Sequence, residues 1–156
     1  MRTTPQLAFT AFVDSHERQV REALTAAFGI ELGRDVAAEA FAHAWERWDR
    51  VSTMDNPAGY LYVVGRNRAR KILKRTRRRT VTYPSVPIPS TPAFEPALAT
   101  ELANLSERER CVVVLLHGFE WSMSEVAETL EVSKSAVQSY AERALAKLRS
   151  GMGVRR

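Results

Sequence analysis

A run of cations in the middle of the chain is the feature with the strongest chemical character. The stretch VGRNRARKILKRTRRR, residues 64–79, has nine Lys or Arg and no acidic residue between positions 66 and 79. Outside that run the chain has 14 Lys and Arg against 18 Asp and Glu, although its net charge is +5. The excess positive charge is therefore local. It predicts that a polyanion docks at one face of the protein.

Residues that could carry catalysis or bind a metal do not form a recognisable constellation. Asp14, His16 and Glu17 are close in sequence, but they fall on a predicted solvated helix without further partners. The three histidines, at positions 16, 43 and 117, do not have metal-ligand spacing, and the sequence has no phosphate-cradling glycine loop. We therefore expect neither an enzyme nor a metal or cofactor site.

The composition indicates an intracellular protein. A single cysteine, Cys111, excludes an internal disulfide and is typical of a reducing compartment. It lies in an apolar run, which favours a buried small side chain over a reactive thiol. No apolar stretch is long enough to span a bilayer, and the first residues do not resemble a signal peptide. We expect a cytoplasmic protein without membrane insertion.

Helical periods organise the first 79 residues into three helices. Apolar residues recur at multiples of four over residues 6–28, and Gly29 and Gly33 are expected to end that helix. A second helix is predicted over residues 35–48, because its aromatic residues share one face and are expected to be core: Phe41, Trp45 and Trp48. The segment Asp49–Asn56 is predicted to be a loop.

The third helix, which starts near Pro57, contains the cation run. Steps of three and four residues predict a narrow apolar stripe of Ala58, Leu61, Gly65, Ala69 and Ile72. A second line of side chains is cationic and comprises Arg66, Arg70, Lys74 and Arg77. The run is therefore predicted to be an amphipathic helix with a basic face. Like charges at this density destabilise an isolated helix, so a structural role alone does not account for them.

A proline-rich linker is predicted over residues 80–96, which hold five of the seven prolines. In polyproline geometry, at ~3.1 Å per residue, it would reach about 50 Å. Beyond it, Ser106 and Glu109 have the spacing of a capping box.

A helix-turn-helix is predicted after the capping box. Val126, Ala127 and Leu130 fit a short first helix, residues 131–133 fit a turn, and Ser133 is placed to cap a longer second helix. The inner face of that helix is predicted to comprise Ala136, Val137, Tyr140, Ala144, Leu145 and Leu148. In this motif the second helix enters the major groove of DNA.

The order of these elements resembles that of bacterial RNA polymerase sigma factors of the small extracytoplasmic-function type. The resemblance rests on three stretches: RDVAAEAFAHAWERW, NPAGYLYVVGRNRARKILKR and LSERERCVVVLLHGFEWSMSEVAETLEVSKSAVQSYAERALAKLR. It implies an all-α fold with two small helical domains joined by the linker. Residues 6–79 would be a three-helix, region 2-like domain, and residues 97–150 a region 4-like helix-turn-helix domain.

The resemblance also implies partners and roles for individual residues. Core RNA polymerase would bind Asp35, Glu39, His43 and Glu46. The minus-ten promoter element would contact Met54, Asn56, Arg66, Asn67, Arg70, Lys74 and Arg77. The minus-thirty-five element would contact Lys134, Ser135, Gln138, Ser139 and Arg143. An anti-sigma factor is a further candidate partner. Arg66 and Asn67 could equally be structural hydrogen-bonding groups.

Two other functions fit the same sequence. A stand-alone DNA-binding regulator would bind duplex DNA tightly without polymerase. Residues 97–149 have six Lys or Arg against eight Glu, and this net negative charge argues against such a regulator. A sigma-like adaptor would instead sequester an anti-sigma factor or a polymerase surface without initiating transcription. Departures from the family pattern keep the adaptor open: Ala136, Gln138 and Tyr140 stand where the family commonly has Thr, Lys or Arg, and Arg, and Ala38 replaces a usual Gln. Two further departures are Lys71 in place of a frequent Asp and Glu131 in place of the usual glycine of the turn, where a left-handed non-glycine residue costs about 1 kcal/mol.

Overall fold

The computed structural model describes residues 3–78 and 96–153, without the side chains of residues 77, 78, 96, 97 and 99. Over these residues the fold is all-α, as predicted. Contacts between Cα atoms divide the chain into two units, Met1–Ile88 and Pro89–Arg156. The helices are α1 (Pro5–Phe28), α2 (Ile30–Glu46), α3 (Trp48–Val51), α4 (Pro57–Arg78), α5 (Pro96–Asn104), α6 (Glu107–Val113), α7 (Met123–Leu130) and α8 (Lys134–Gly151). The predicted linker lies outside the described residues, except for Pro96.

The first unit is built on three long helices, α1, α2 and α4, which pack against one another. Thr4 caps α1 by accepting a hydrogen bond from the Leu7 backbone N–H, and Pro5 occupies the first turn, where no amide donor is needed. Gly29, with a φ of 90°, ends α1 and starts α2. The buried side chains of α1 include Phe12, Val20 and Leu24, as the helical period predicted.

Two glycines allow these helices to approach closely. A Cβ atom at Gly33 would lie 2.5 Å from the Thr25 Cα atom, and one at Gly65 would lie 2.5 Å from a Leu24 methyl carbon. The prediction that Gly33 ends a helix was therefore wrong. It lies inside α2, which begins five residues earlier than expected, and the contact with Thr25 leaves no space there for a side chain.

The segment between α2 and α4 also differs from its prediction. Its first part is not a plain loop, since Trp48–Val51 forms the one-turn helix α3 and buries Val51. Trp45 is not a core residue: it is 42% exposed, although its indole contacts the ring of Phe9 at a centroid distance of 5.1 Å. Phe41 is buried as predicted, and Trp48 is half-buried.

Paired caps organise the second unit. Ser106 and Glu109 form the predicted capping box at the start of α6, and Ser122 and Glu125 form another at the start of α7. Between these helices the chain continues as a π-helix, Val114–Gly118. The predicted apolar run from Cys111 onward is buried through Leu115.

The helix-turn-helix is formed by α7 and α8. Glu131 ends α7 in the left-handed conformation, with φ 56° and ψ 46°, and Ser133 caps α8 by accepting from the Ala136 backbone N–H. The inner face of α8 differs in part from its prediction. Val137, Ala144 and Leu148 are buried, as is Ala141, whereas Ala136, Tyr140 and Leu145 are only half-buried.

A charged pair joins α6 to α8. The Lys147 ammonium donates to the Glu109 Oε1 atom at 2.7 Å, and the same oxygen accepts from the Ser106 backbone N–H. Burial raises the pKa of Glu109, but hydrogen bonds from Lys147 and Ser106 outweigh burial, so the pKa lies below its ordinary value of 4.5. The buried carboxylate therefore stabilises the unit only while it is ionised.

Gly33→Ala tests the close approach of α1 and α2. The free energy of unfolding of the first unit should fall by about 1–3 kcal/mol, since overpacking outweighs the better helix propensity of alanine. Urea denaturation followed by tryptophan fluorescence would measure the loss. The reference is Gly118→Ala in the second unit, whose Cβ would meet only a Val114 methyl group at 3.8 Å, so its own unit should lose little stability. Equal effects of the two changes would refute the packing constraint.

Lys147→Met tests the Glu109 pair. At neutral pH it should destabilise the second unit by about 1 kcal/mol, a value discounted because Lys147 is exposed to solvent. The stabilisation is complete above pH 4.5 and is lost as the pH falls through the depressed pKa of Glu109. The free energies of unfolding of the wild type and of Lys147→Met, measured from denaturation curves, should therefore become equal at acid pH. Arg149→Met on the same helix is the control, and a difference that grows in acid would contradict the assignment.

Candidate nucleic-acid interface

The outward face of α4 is cationic, as predicted. Its stripe Ala58, Leu61, Gly65 and Ala69 is buried, and Ile72 is half-buried. This orientation leaves five described cations exposed. Arg68 pairs with Glu39, and the other four are Arg70, Lys71, Lys74 and Arg75. Within residues 3–78 and 96–153 none of the four forms an ion pair. Their charge is therefore available to a polyanion, and Lys71 and Arg75 extend the set of residues that the sequence indicated.

The beginning of the predicted cationic line differs from expectation. Arg66 is only 3% exposed, and its guanidinium donates to the Asn67 Oδ1 atom at 3.4 Å, so the structural alternative fits it better than a DNA contact. Asn67 itself is exposed. Arg68 is exposed and pairs with Glu39 of α2 at 2.6 Å. The exposed cationic line thus begins at Arg70, while the side chain of Arg77 lies outside the described residues.

The candidate minus-ten residues lie in two places, one in the segment before α4 and the other along α4 itself. Met54 and Asn56 are half-buried in the segment before the helix, and the Asn56 carbonyl accepts the Tyr60 backbone N–H at 3.2 Å. From Asn56 to Arg70 the helix rises about 20 Å at 1.5 Å per residue. The structure therefore does not bring the loop and the cations into one pocket. It arranges them along one helix.

The four candidate polymerase-binding residues follow one another along α2. Asp35, Glu39 and Glu46 are exposed, whereas His43 is half-buried. The His43 Nε2 atom lies 3.1 Å from the Tyr60 hydroxyl, and an Arg47 Nη1 atom lies 3.1 Å from Nδ1. Glu39 and His43 thus contact residues of α4, and this part of the α2 face borders an open cavity of about 640 Å³.

The charge state of His43 follows from these neighbours. Burial and the nearby Arg47 cation lower its pKa from 6.5, Arg68 lowers it further, and Glu46 opposes them. Because an arginine can only donate, Nδ1 must accept and Nε2 must carry the proton that is shared with Tyr60. A neutral imidazole therefore links α2 to α4 at neutral pH.

An apolar groove between α1 and α2 was missed by the sequence analysis. It has a volume of about 500 Å³, and its lining includes Phe9, Ala38, Phe41 and Trp45. Trp45 was expected to be core because its spacing from Phe41 puts both on one helical face. The sequence feature that could have indicated the groove is Phe9 on α1. Its ring contacts the indole of Trp45 on α2, so Trp45 packs at the edge between the two helices and not in the core.

The candidate minus-thirty-five residues come together on α8. Lys134, Ser135, Gln138, Ser139 and Arg143 are all exposed within its first three turns. The Arg143 Nε atom donates to the Ser139 carbonyl at 3.3 Å, and its guanidinium lies 5.0 Å from the centre of the Tyr140 ring. The Gln138 amide donates to Glu142, an exposed neighbour that the sequence analysis did not single out.

In residues 3–78 and 96–153 no group of three or more His, Cys, Asp or Glu residues is arranged to hold a metal ion. Among the described helices, none is long and apolar enough to cross a membrane.

The second unit is similar to known proteins over most of its length. Residues 96–148, about a third of the chain, match the family described as sigma-70, region 4. The RNA polymerase sigma factor FliA of Pseudomonas aeruginosa is 40% identical over 57 residues, which are 36% of this chain and 23% of FliA. The chain therefore covers less than a quarter of that relative's length.

Solved structures share the fold well beyond region 4. The sigma factor RpoE of Bartonella quintana, solved in complex with the anti-sigma factor NepR, has a TM-score of 0.79 at 18% identity, covering 96% of this chain and 99% of that one. CnrH, solved in complex with the cytosolic domain of CnrY, has a TM-score of 0.61 at 24% identity, covering 97% and 91%. The region 4 match confirms the predicted resemblance to sigma factors, and the two solved structures share the all-α fold over nearly the whole chain.

Arg47→Met tests the electrostatics of His43. The pKa of His43 should rise towards 6.5, because the second-largest cause of its depression is removed while burial remains. NMR titration of the imidazole would measure the shift. Arg50→Met provides the control, since Arg50 is not among the charges that act on His43. An unchanged His43 pKa in Arg47→Met would show that Arg47 does not act on the ring.

Proposed function

We propose that this protein is a sigma factor that binds core RNA polymerase and directs promoter recognition and opening. The observation that carries the proposal is the exposed cationic face of α4, within a chain that has a region 4 domain and a sigma-factor fold. Such a protein performs no covalent step. Residues 6–79 would act as region 2 and residues 97–150 as region 4.

The first unit would hold the opened minus-ten element. Arg70, Lys71, Lys74 and Arg75 would follow the phosphates of a separated strand and release its counterions. The segment with Met54 and Asn56 precedes the same helix, so a strand lying along α4 could reach it. An unstacked base needs a loop or pocket for discrimination, because phosphate contacts carry little sequence information.

The second unit would read the minus-thirty-five element. Lys134, Ser135, Gln138 and Ser139 lie on the exposed side of the first turns of α8, which is the part of a helix-turn-helix that reaches base edges. Arg143 would contact a phosphate. The net negative charge of this domain supports weak duplex binding until polymerase holds the DNA nearby.

Core polymerase would dock on α2, at the face with Asp35, Glu39, His43 and Glu46. Its three exposed carboxylates suit a basic partner surface. An anti-sigma factor is a further proposed partner, because the RpoE of similar fold was solved with the anti-sigma factor NepR.

A sigma-like adaptor is the second candidate function. Polar groups on both candidate faces pair within the protein, as Glu39 does with Arg68 and Gln138 with Glu142. Run-off transcription with purified core polymerase separates the two functions. Transcripts that start downstream of a shared pair of elements would support the sigma factor, whereas stable polymerase binding without any transcript would favour the adaptor.

Arg70→Glu combined with Lys74→Glu tests the α4 face. Promoter opening per bound polymerase should fall about tenfold or more, because two phosphate contacts become repulsive. Polymerase binding should remain nearly intact, since α2 carries it. Permanganate reactivity of unpaired thymines would report opening, and gel filtration would report binding.

The control for this double variant is Arg34→Glu combined with Arg149→Glu, which makes the same change in net charge at exposed sites on α2 and α8. It should open promoters normally once bound to polymerase. Equal loss of opening and polymerase binding in the α4 variant would count against the assignment of that face to DNA.

A further inference from the structure

A hydrogen-bonded pair of side chains lies on the outer face of α8. The Gln138 Nε2 atom donates to the Glu142 Oε1 atom at 3.1 Å, one helical turn further along. Both side chains are exposed. The pair adjoins Lys134, so one line of side chains on α8 runs from a cation through an amide to a carboxylate.

The orientation of α8 fixes where this pair points. Val137, Ala141 and Ala144 are buried, which turns positions 138 and 142 outward together. The neighbouring line has Ser139 and Arg143, but Arg143 is held against the Ser139 carbonyl and the Tyr140 ring. Gln138 and Glu142 are therefore the adjoining pair on this face best placed to present hydrogen-bonding groups to a base edge.

The carboxylate determines which groups Gln138 has left to offer. A carboxylate can only accept hydrogen bonds, so the amide nitrogen and not the amide oxygen must face Glu142. One N–H of Gln138 is then occupied. The remaining groups are one N–H donor and the Oε1 acceptor.

These remaining groups match one base edge better than another. In the major groove adenine presents a donor at N6 and an acceptor at N7, whereas guanine presents acceptors at both O6 and N7. A glutamine that faces guanine with two donors would have to release Glu142. The nearby negative charge would also repel both guanine acceptors.

We propose that Glu142 is a specificity-determining residue that holds Gln138 in the orientation that selects adenine over guanine at one base pair. The inference rests on the proposed function of α8 as the DNA-reading helix. It adds a positioning role for a residue whose charge alone would only weaken DNA binding. The carboxylate thus costs affinity and contributes selectivity.

The test is selection of duplex DNA randomised over the upstream promoter element, with the full chain bound to core polymerase. The wild type should prefer adenine to guanine about tenfold or more at one position. Gln138→Ala should erase that preference. Glu142→Ala should lower it at the same position to nearly the level of Gln138→Ala, while total duplex affinity rises.

Glu128→Ala is the matched control, since it removes an exposed carboxylate from α7 of the same domain. It should raise affinity and leave the base preference unchanged. The role of Glu142 would be overturned if Glu142→Ala kept the wild-type preference for adenine over guanine, or if Glu128→Ala lost that preference equally. Either result would leave the proposed function standing. A wild type that selects no base pair, or does not bind polymerase, would overturn both.

Discussion

The contact between Leu24 and Gly65 sets the rotation of α4 about its own axis. A methyl carbon of Leu24 occupies the space where any other residue at position 65 would place its Cβ. With Gly65 facing α1, the rest of the apolar stripe faces inward, and the charges must face outward. The cationic surface therefore follows from a close packing contact elsewhere on the helix, and packed side chains overcome the mutual repulsion of Arg70, Lys71, Lys74 and Arg75.

In the second unit, helix caps and a charged pair with a buried carboxylate hold the helices in place. Serine caps start α6, α7 and α8, and Glu131 accepts a left-handed conformation where glycine would be easier. Glu109 then joins the start of α6 to α8 through Lys147. These local interactions hold α8 so that its exposed turns carry hydrogen-bonding groups in a fixed arrangement, which selective DNA reading requires.

Much of this architecture could be predicted from the sequence, because caps and helical periods are local. The Ser106 box, the turn at Glu131 and the inward stripe of α4 all followed from spacing alone. Gly33, Arg66 and Trp45 could not be placed in that way. Gly33 allows Thr25 of the neighbouring helix to approach closely, Arg66 is buried, and Trp45 is exposed at a groove edge. Each depends on a neighbour distant in sequence. The roles of the site residues likewise depend on the molecules that they contact, and the spacing of residues in the sequence does not identify those molecules.

We propose that the exposed cations of α4 contact the phosphates of a separated promoter strand. The most direct measurement is the salt dependence of the affinity of the polymerase complex for single-stranded promoter DNA, with and without Arg70→Ala and Lys74→Ala. If both cations neutralise phosphates, the slope of log K against log salt concentration should become shallower by about 1.4, at roughly 0.7 per contact. Parallel slopes for the two proteins would show that Arg70 and Lys74 do not contact phosphates.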